Sequence, residues 1–193
     1  MPPPQGISFP INFLRQDNSF QDPIANNLSS NNPAYPYASV FNALFAALGL
    51  THTNYARVGL VAGQVIASGV VTAIIFDTVI SDVDGIYNAV NGRFTPNVAG
   101  NFLCVVTQQW STNLPDGVQQ GISVQKNGSE VAFSFIMTGA AAVNQSSNCS
   151  AIVDMNGTTD FIDFRTFQAS GANQTVGNGI SRTVAFVHRL LAL

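Results

Sequence analysis

Asp84-Gly85-Ile86-Tyr87-Asn88, followed by Asn91-Gly92-Arg93-Phe94-Thr95-Pro96-Asn97-Val98-Ala99-Gly100-Asn101-Phe102-Leu103, is the stretch whose reading decides the fold. Gly85, Gly92 and Gly100 punctuate it at intervals of seven or eight residues, a spacing suited to tight turns that need positive φ. Phe94, Val98 and Phe102 supply the apolar points between those turns, so each turn returns a short strand to one core. Pro96 has no N–H for a ladder, which places Phe94-Thr95 at a strand end or on an edge. The stretch reads as a meander without a helix.

Outward from it, residues 57–61, 70–76, 93–95, 101–110, 121–125, 130–137, 148–155, 160–168 and 182–191 read as short strands between Gly, Asn and Asp turns, the pattern of a sandwich or barrel. Gly92-Arg93-Phe94-Thr95-Pro96 with Val98-Ala99-Gly100 and Phe102 resembles the core signature of the complement component 1q globular head, within the tumour necrosis factor-like jelly-roll superfamily. Ile122-Ser123-Val124-Gln125-Lys126-Asn127-Gly128 is similar to that family's strand ending in a Lys-Asn-Gly turn. Asp160-Phe161-Ile162-Asp163-Phe164 resembles a late strand, and 181–191 the closing one. The resemblance covers roughly residues 56–193. It implies an all-β, antiparallel jelly-roll sandwich of ten strands that usually assembles as a trimer, and a binding and structural scaffold with no activity.

The predicted organisation is an N-terminal arm, 1–54, and a head, 55–193. Seven of the nine prolines sit in the arm. There Ile7, Phe9, Ile11, Phe13, Leu14 and Phe20 alternate with polar residues too regularly for a solvated linker. Within the arm, Val40, Phe41, Leu44, Phe45 and Leu48 recur at helical spacing between a Ser39 N-cap and Gly49, which predicts one short helix. Phe9, Phe13, Phe20, Phe41, Leu44, Phe45 and Leu48 are the anchoring candidates; the helix face packs either under its own head or against other subunits and particle components.

Strand 182–191 is apolar on both faces, with Val184, Phe186 and Leu190 on one side and Ala185, Val187 and Leu191 on the other. A strand buried on both sides in a two-layer sandwich needs a second apolar neighbour, which points to oligomerisation. In the family this chain resembles, the trimer interface is that neighbour, so the resemblance implies Val184, Phe186, Val187 and Leu190 as homotrimer interface candidates.

Only 9% of the residues are charged, with Lys126 the single lysine and Glu130 the single glutamate, while 46% are hydrophobic. A surface of Asn, Gln, Ser and Thr in place of charge suits a protein held inside an assembly. A net charge of −3 and six scattered arginines exclude a phosphate-binding surface, so no nucleic-acid partner is expected. No apolar run of membrane-spanning length occurs, and the helix's polar face lacks Lys and Arg, so no membrane partner is expected either. The opening Met1-Pro2-Pro3-Pro4-Gln5 lacks a basic, then apolar, secretory signature. Cys104 and Cys149 read as buried thiols on strands that the family topology makes neighbours.

No catalytic motif, phosphate loop or dinucleotide fingerprint is present, and no cofactor is expected. Asp82 and Asp84 are candidate oxygen ligands for calcium, against the commoner use of aspartate before a turn glycine. Trp110 stands beside the loop 112–120 as a candidate for stacking on a sugar, against the commoner core or interface role. Two functions follow as expectations. One is a trimeric virion structural protein of a bacteriophage, assembled in the host cytoplasm as a capsid decoration, head fibre or spike and anchored to other virion proteins by its arm. The other is a host-attachment module at a fibre tip, whose loops 112–120, 139–147 and 170–179 bind a host-surface glycan or protein.

Overall fold

The computed structural model describes residues 54–139, 145–177 and 179–190. The predicted arm and its helix, with their anchoring candidates, lie outside the described residues, as does Leu191. Among the described residues there is no helix, and thirteen strands make three antiparallel sheets. In chain order these are β1 (Tyr55–Gly59), β2 (Gln64–Ile66), β3 (Thr72–Ala73), β4 (Thr78–Val83), β5 (Tyr87–Asn88), β6 (Arg93–Phe94) and β7 (Ala99–Gln109). They continue with β8 (Gln119–Lys126), β9 (Ser129–Met137), β10 (Ser146–Asn156), β11 (Ile162–Gln168), β12 (Gln174–Val176) and β13 (Val184–Arg189).

One sheet runs β10-β7-β13-β1-β4 and the other β5-β6-β11-β8-β9, with β3 pairing β11; β12 and β2 form a separate ribbon. The last strand lies between the first and the seventh, and β11 lies between β6 and β8, so neighbours in space are distant in sequence, as in a jelly roll. The strand count exceeds the expected ten in part because β2, β5 and β12 are two- or three-residue pairings that hydrophobic patterning does not register. β4 is also absent from the expected strands: of its apolar residues, Val79, Ile80 and Val83 are all exposed.

Alternation along the strands sorts the core. Ala56 and Val58 of β1, Phe102, Cys104 and Val106 of β7, Cys149, Val153 and Met155 of β10, and Ala185 and Val187 of β13 face inward from one sheet. Ile122 and Val124 of β8 and Ile162 and Phe164 of β11 meet them from the other. Phe76, Tyr87, Phe94 and Phe164 join them in edge-on and tilted ring contacts 4.7–6.4 Å apart, and the Tyr87 hydroxyl donates to the Phe76 carbonyl at 2.8 Å. This aromatic cluster is what the opening meander builds, Tyr87 and Phe94 being register partners on β5 and β6.

Gly85, Gly92 and Gly100 take φ of 64°, 70° and 144°, as their spacing predicted. The tightest glycine lies elsewhere. Gly157, at φ 72°, closes the turn after β10 so near the start of β7 that a Cβ would stand 2.2 Å from the Ala99 nitrogen. Gly157→Ala is therefore expected to cost about 3 kcal/mol, combining left-handed strain with a backbone clash. Gly128→Ala, at φ 81° with open space around it, should cost about 1 kcal/mol. Urea unfolding of the two variants checks the difference, and equal midpoints would refute it.

Candidate functional site

The five-stranded sheet turns one face to the core and presents the other outward. On that outer face, register sets Tyr55 of β1 beside His188 of β13, Arg57 beside Phe186, and Gly59 beside Val184. On the far side of β13, Phe186 pairs with Val105 of β7 and His188 with Leu103, and Leu103 in turn pairs with Ile152 of β10. The Phe186 and His188 rings stack with an interplanar angle of 1° at 5.7 Å, and Tyr55 stands edge-on to both, at 5.1 and 5.7 Å. Tyr55, Leu103, Val105, Val184, Phe186 and His188 are all half-buried, while Ile152 is 63% and Val83 38% exposed. The result is an apolar, ring-rich surface on the sheet's outer face, with Arg57 and Asp154 as its charges.

Of the four interface candidates, Val184 and Phe186 lie on this face, and Leu190 follows β13 half-buried, its N–H donating to the Asn101 carbonyl at 2.7 Å. Val187 does not: it is fully buried in the sandwich core, because it has the opposite parity to Phe186 along the pleat.

The two aspartates singled out for calcium are spent on backbone. Asp82 accepts from the Ile86 and Tyr87 N–H groups at 2.9 and 3.1 Å, which shapes the β4–β5 turn. Asp84 accepts from the Asn54 N–H and side-chain amide at 2.7 and 3.1 Å, and Asn54 Oδ1 takes the Asn97 N–H at 3.0 Å. Among the described residues no three His, Cys, Asp or Glu side chains gather as a metal-ligating group.

Trp110 is wholly buried, its indole N–H donating to Gln120 Oε1. No face of the ring is open for a sugar to stack on, which corrects that candidate role. It forms the floor of one end of the sandwich, where parts of the three candidate ligand loops converge. The Trp110 backbone N–H donates to the Gln145 carbonyl at 3.0 Å, Ser111 Oγ donates to the Gly177 carbonyl at 2.8 Å, and Thr112 Oγ1 to Gln174 Oε1 at 2.8 Å. Gln168, also fully buried, holds the third loop by donating to the Ala172 carbonyl at 2.8 Å and accepting the Ser170 N–H at 2.7 Å.

A second surface escaped the sequence reading. On β9 the inward residues are Ala132, Ser134 and Ile136, register partners of the core-facing Val124, Ile122 and Gln120, while Val131, Phe133, Phe135 and Met137 are 43–61% exposed. The only signal in the sequence is that the large residues alternate with small ones. That pattern fixes two faces but not which of them points to the core. Beneath the Phe133 ring lies Gly121, where an added Cβ would come within 2.6 Å of the ring.

Cys104 and Cys149 are buried free thiols on the adjacent strands β7 and β10, Cys104 opposite Ala151 and Cys149 opposite Val106. Burial pushes the Cys104 thiol up to about 12 and raises that of Cys149, so neither is a poised nucleophile.

No family model and no curated protein matches the chain by sequence. Solved structures do match. The globular domain of zebrafish complement 1qA aligns over 73% of this chain and 99% of its own, with 11% identity and a TM-score of 0.55. Murine APRIL at pH 8.0 aligns over 70% and 98%, with 12% identity and a TM-score of 0.52, and Eiger TNF from S. frugiperda over 74% and 95%, with 8% identity and a TM-score of 0.50. The described residues form a jelly-roll head. At these identities the likeness is one of fold, and it carries no residue roles across.

At the end of the head opposite in chemistry to the loop floor, Asp160 accepts from Asn127 Nδ2 at 2.7 Å, from Lys126 Nζ at 2.9 Å and from the Asn156 N–H at 2.9 Å. The Asn127 and Lys126 bonds, against a smaller desolvation penalty, hold its carboxyl at about 2. The folded value lies below the ~3.9 of an unfolded aspartate, so Asp160 stabilises the head above about pH 4 and loses that contribution as pH falls from 4 to 2. In Asp160→Asn, the thermal midpoint should therefore fall less between pH 4 and 2 than in the parent. Parallel curves would refute the assignment.

Proposed function

We propose that this chain is a non-enzymatic head that works as a homotrimer, three copies meeting over the outer face of the five-stranded sheet. The observation that carries this reading is the Tyr55–Phe186–His188 ring group, half-buried on the outer face with Leu103, Val105 and Ile152 beside it. A face with this much aromatic and aliphatic surface gains from being covered by another protein. The resemblance to complement component 1q heads supports three as the number of copies.

The finer reading is a virion structural protein, a decoration, head fibre or spike, anchored to the particle through residues 1–54. What supports it is the charge-poor, Asn- and Ser-rich composition and the apolar alternation of the arm. A second reading, attachment to a host glycan or protein, is favoured by the convergence of the three loops at one end over Trp110. Substitutions in those loops that abolish host adsorption while particles still assemble would favour attachment. Loss of the head from particles on removing residues 1–54 would favour anchoring.

Phe186→Asp places an unpaired carboxylate in the proposed contact without touching the core. It should turn a trimer into monomers of unchanged circular dichroism, with the association weakened at least a hundredfold, about 3 kcal/mol. Light scattering after size exclusion reads the mass, and a trimer that survives the substitution would refute the interface.

A further inference from the structure

Two glutamines lie in the core at the end of the sandwich floored by Trp110. Gln108 follows Phe102, Cys104 and Val106 on the inward face of β7, Gln120 precedes Ile122 and Val124 on the inward face of β8, and both are fully buried. Gln108 Nε2 reaches from one sheet to the other, donating to the Gly121 carbonyl at 3.4 Å, and it also donates to Ser147 Oγ at 3.0 Å. Thr166 Oγ1 donates to the same Gly121 carbonyl at 3.3 Å, and Gln120 Oε1 takes the Trp110 indole N–H. That leaves Gln108 Oε1 and Gln120 Nε2, one acceptor and one donor, buried with no partner in the protein chain.

Neither amide gains from turning over. Reversed, Gln120 would set its NH2 group against the indole N–H, and Gln108 would set its oxygen against the Gly121 carbonyl. A buried donor and a buried acceptor left open both cost free energy, and native cores satisfy nearly all such groups. Gln168 on β11, the register partner of Gln120, shows the contrast. Its amide is fully used, donating to the Ile66 and Ala172 carbonyls and accepting the Ser170 N–H.

We infer that Gln108, Gln120 and Ser147 hold an internal water at the Trp110 floor, which accepts from Gln120 Nε2 and donates to Gln108 Oε1. Ser147 Oγ, which accepts from Gln108 Nε2, turns its own hydrogen to the second lone pair of the water, so the site offers three polar partners, the usual number for an internal water. The chemistry selects this ligand. It must donate and accept at once, and Gln108, Trp110, Gln120, Ser147 and Thr166 bring no charge to balance an ion. With both amides fully buried, exchange with bulk solvent requires the head to open locally, so the water is long-lived. It ties β7, β8 and β10 together under the converging loops, whether or not those loops bind a ligand and whether or not the head is a trimer.

The test uses the full chain. In the parent, an isotope-edited cross-relaxation experiment should show the Gln120 side-chain NH2 beside a water that stays bound longer than the molecule takes to tumble. Magnetic relaxation dispersion of the solvent should then lose the amplitude of one long-lived water in Gln108→Met, and likewise in Gln120→Met, which serves if the first variant misfolds. Near-UV circular dichroism of Trp110, the single tryptophan, reads whether each variant keeps its fold. Should neither fold, the contact in the parent decides alone. No water at the Gln120 amide, a direct hydrogen bond between the Gln108 and Gln120 amides, or folded variants that keep the full dispersion amplitude would each overturn the inference.

Discussion

β13 is hydrogen-bonded on one side to β7 and on the other to β1, and this single placement holds the five-stranded sheet together. Until residues 184–189 arrive, β1 and β4 have no connection to β7 and β10, so the sheet that carries the candidate assembly face exists only when both ends of the head have met. Contacts of such sequence separation form late and slowly. The same strand supplies Ala185 and Val187 to the core and Phe186 and His188 to the outer face. Its two apolar faces therefore do different things, one filling the core and one forming the candidate assembly face, and folding of the head and formation of that face are one event.

The scarcity of charge takes on a physical sense in the same frame. Asp77, Asp82, Asp84 and Asp160 each accept backbone N–H groups at turns, and Asp163 pairs with Arg165 at 2.9 Å. At Asp77, burial works to raise the carboxyl, but the Val61 and Ala62 N–H groups and the Thr78 hydroxyl together hold it below its ordinary value. Lys126 is likewise tied to Asp160 and to the Asp154 carbonyl. Several of the few ionic groups are thus committed at turns, and fewer are left to keep copies apart in solution. A chain of this kind tolerates, and is suited to, permanent contact with its own kind.

The meander was legible because its information is local: glycines that need positive φ, a proline that forbids mid-sheet pairing, and aromatic residues at turn intervals all act within a few residues. The two-faced character of the last strand was legible for the same reason, although its assignment of Val187 to the interface failed on parity, since a continuous apolar run does not say which residues point outward. For Trp110 the sequence favoured a core or interface role over sugar stacking, but not its surroundings, because its burial depends on Gln120, Gln145 and Val176, three partners that the topology brings in from afar. β9 shows the limit most clearly. Val131, Phe133, Phe135 and Met137 are what patterning assigns to a core, and only register against Ile122 and Val124 reveals that the small residues face inward.

That inversion bears on what the head would gain from being covered. Placing Ala132 and Ser134 inward leaves the edge of the second sheet thin, and the bulk moved outward lies over Gly121 and along the open ladder. A monomer gains nothing from this, since the same residues turned inward would bury apolar area in its own core. The arrangement is stabilising only where another surface covers the stripe. The outer face of the five-stranded sheet poses the same demand from the other side of the sandwich. Two apolar surfaces that lie on different sheets are both covered in a closed ring when each copy sets one of them against the other surface of its neighbour, so a single heterologous contact can meet both demands.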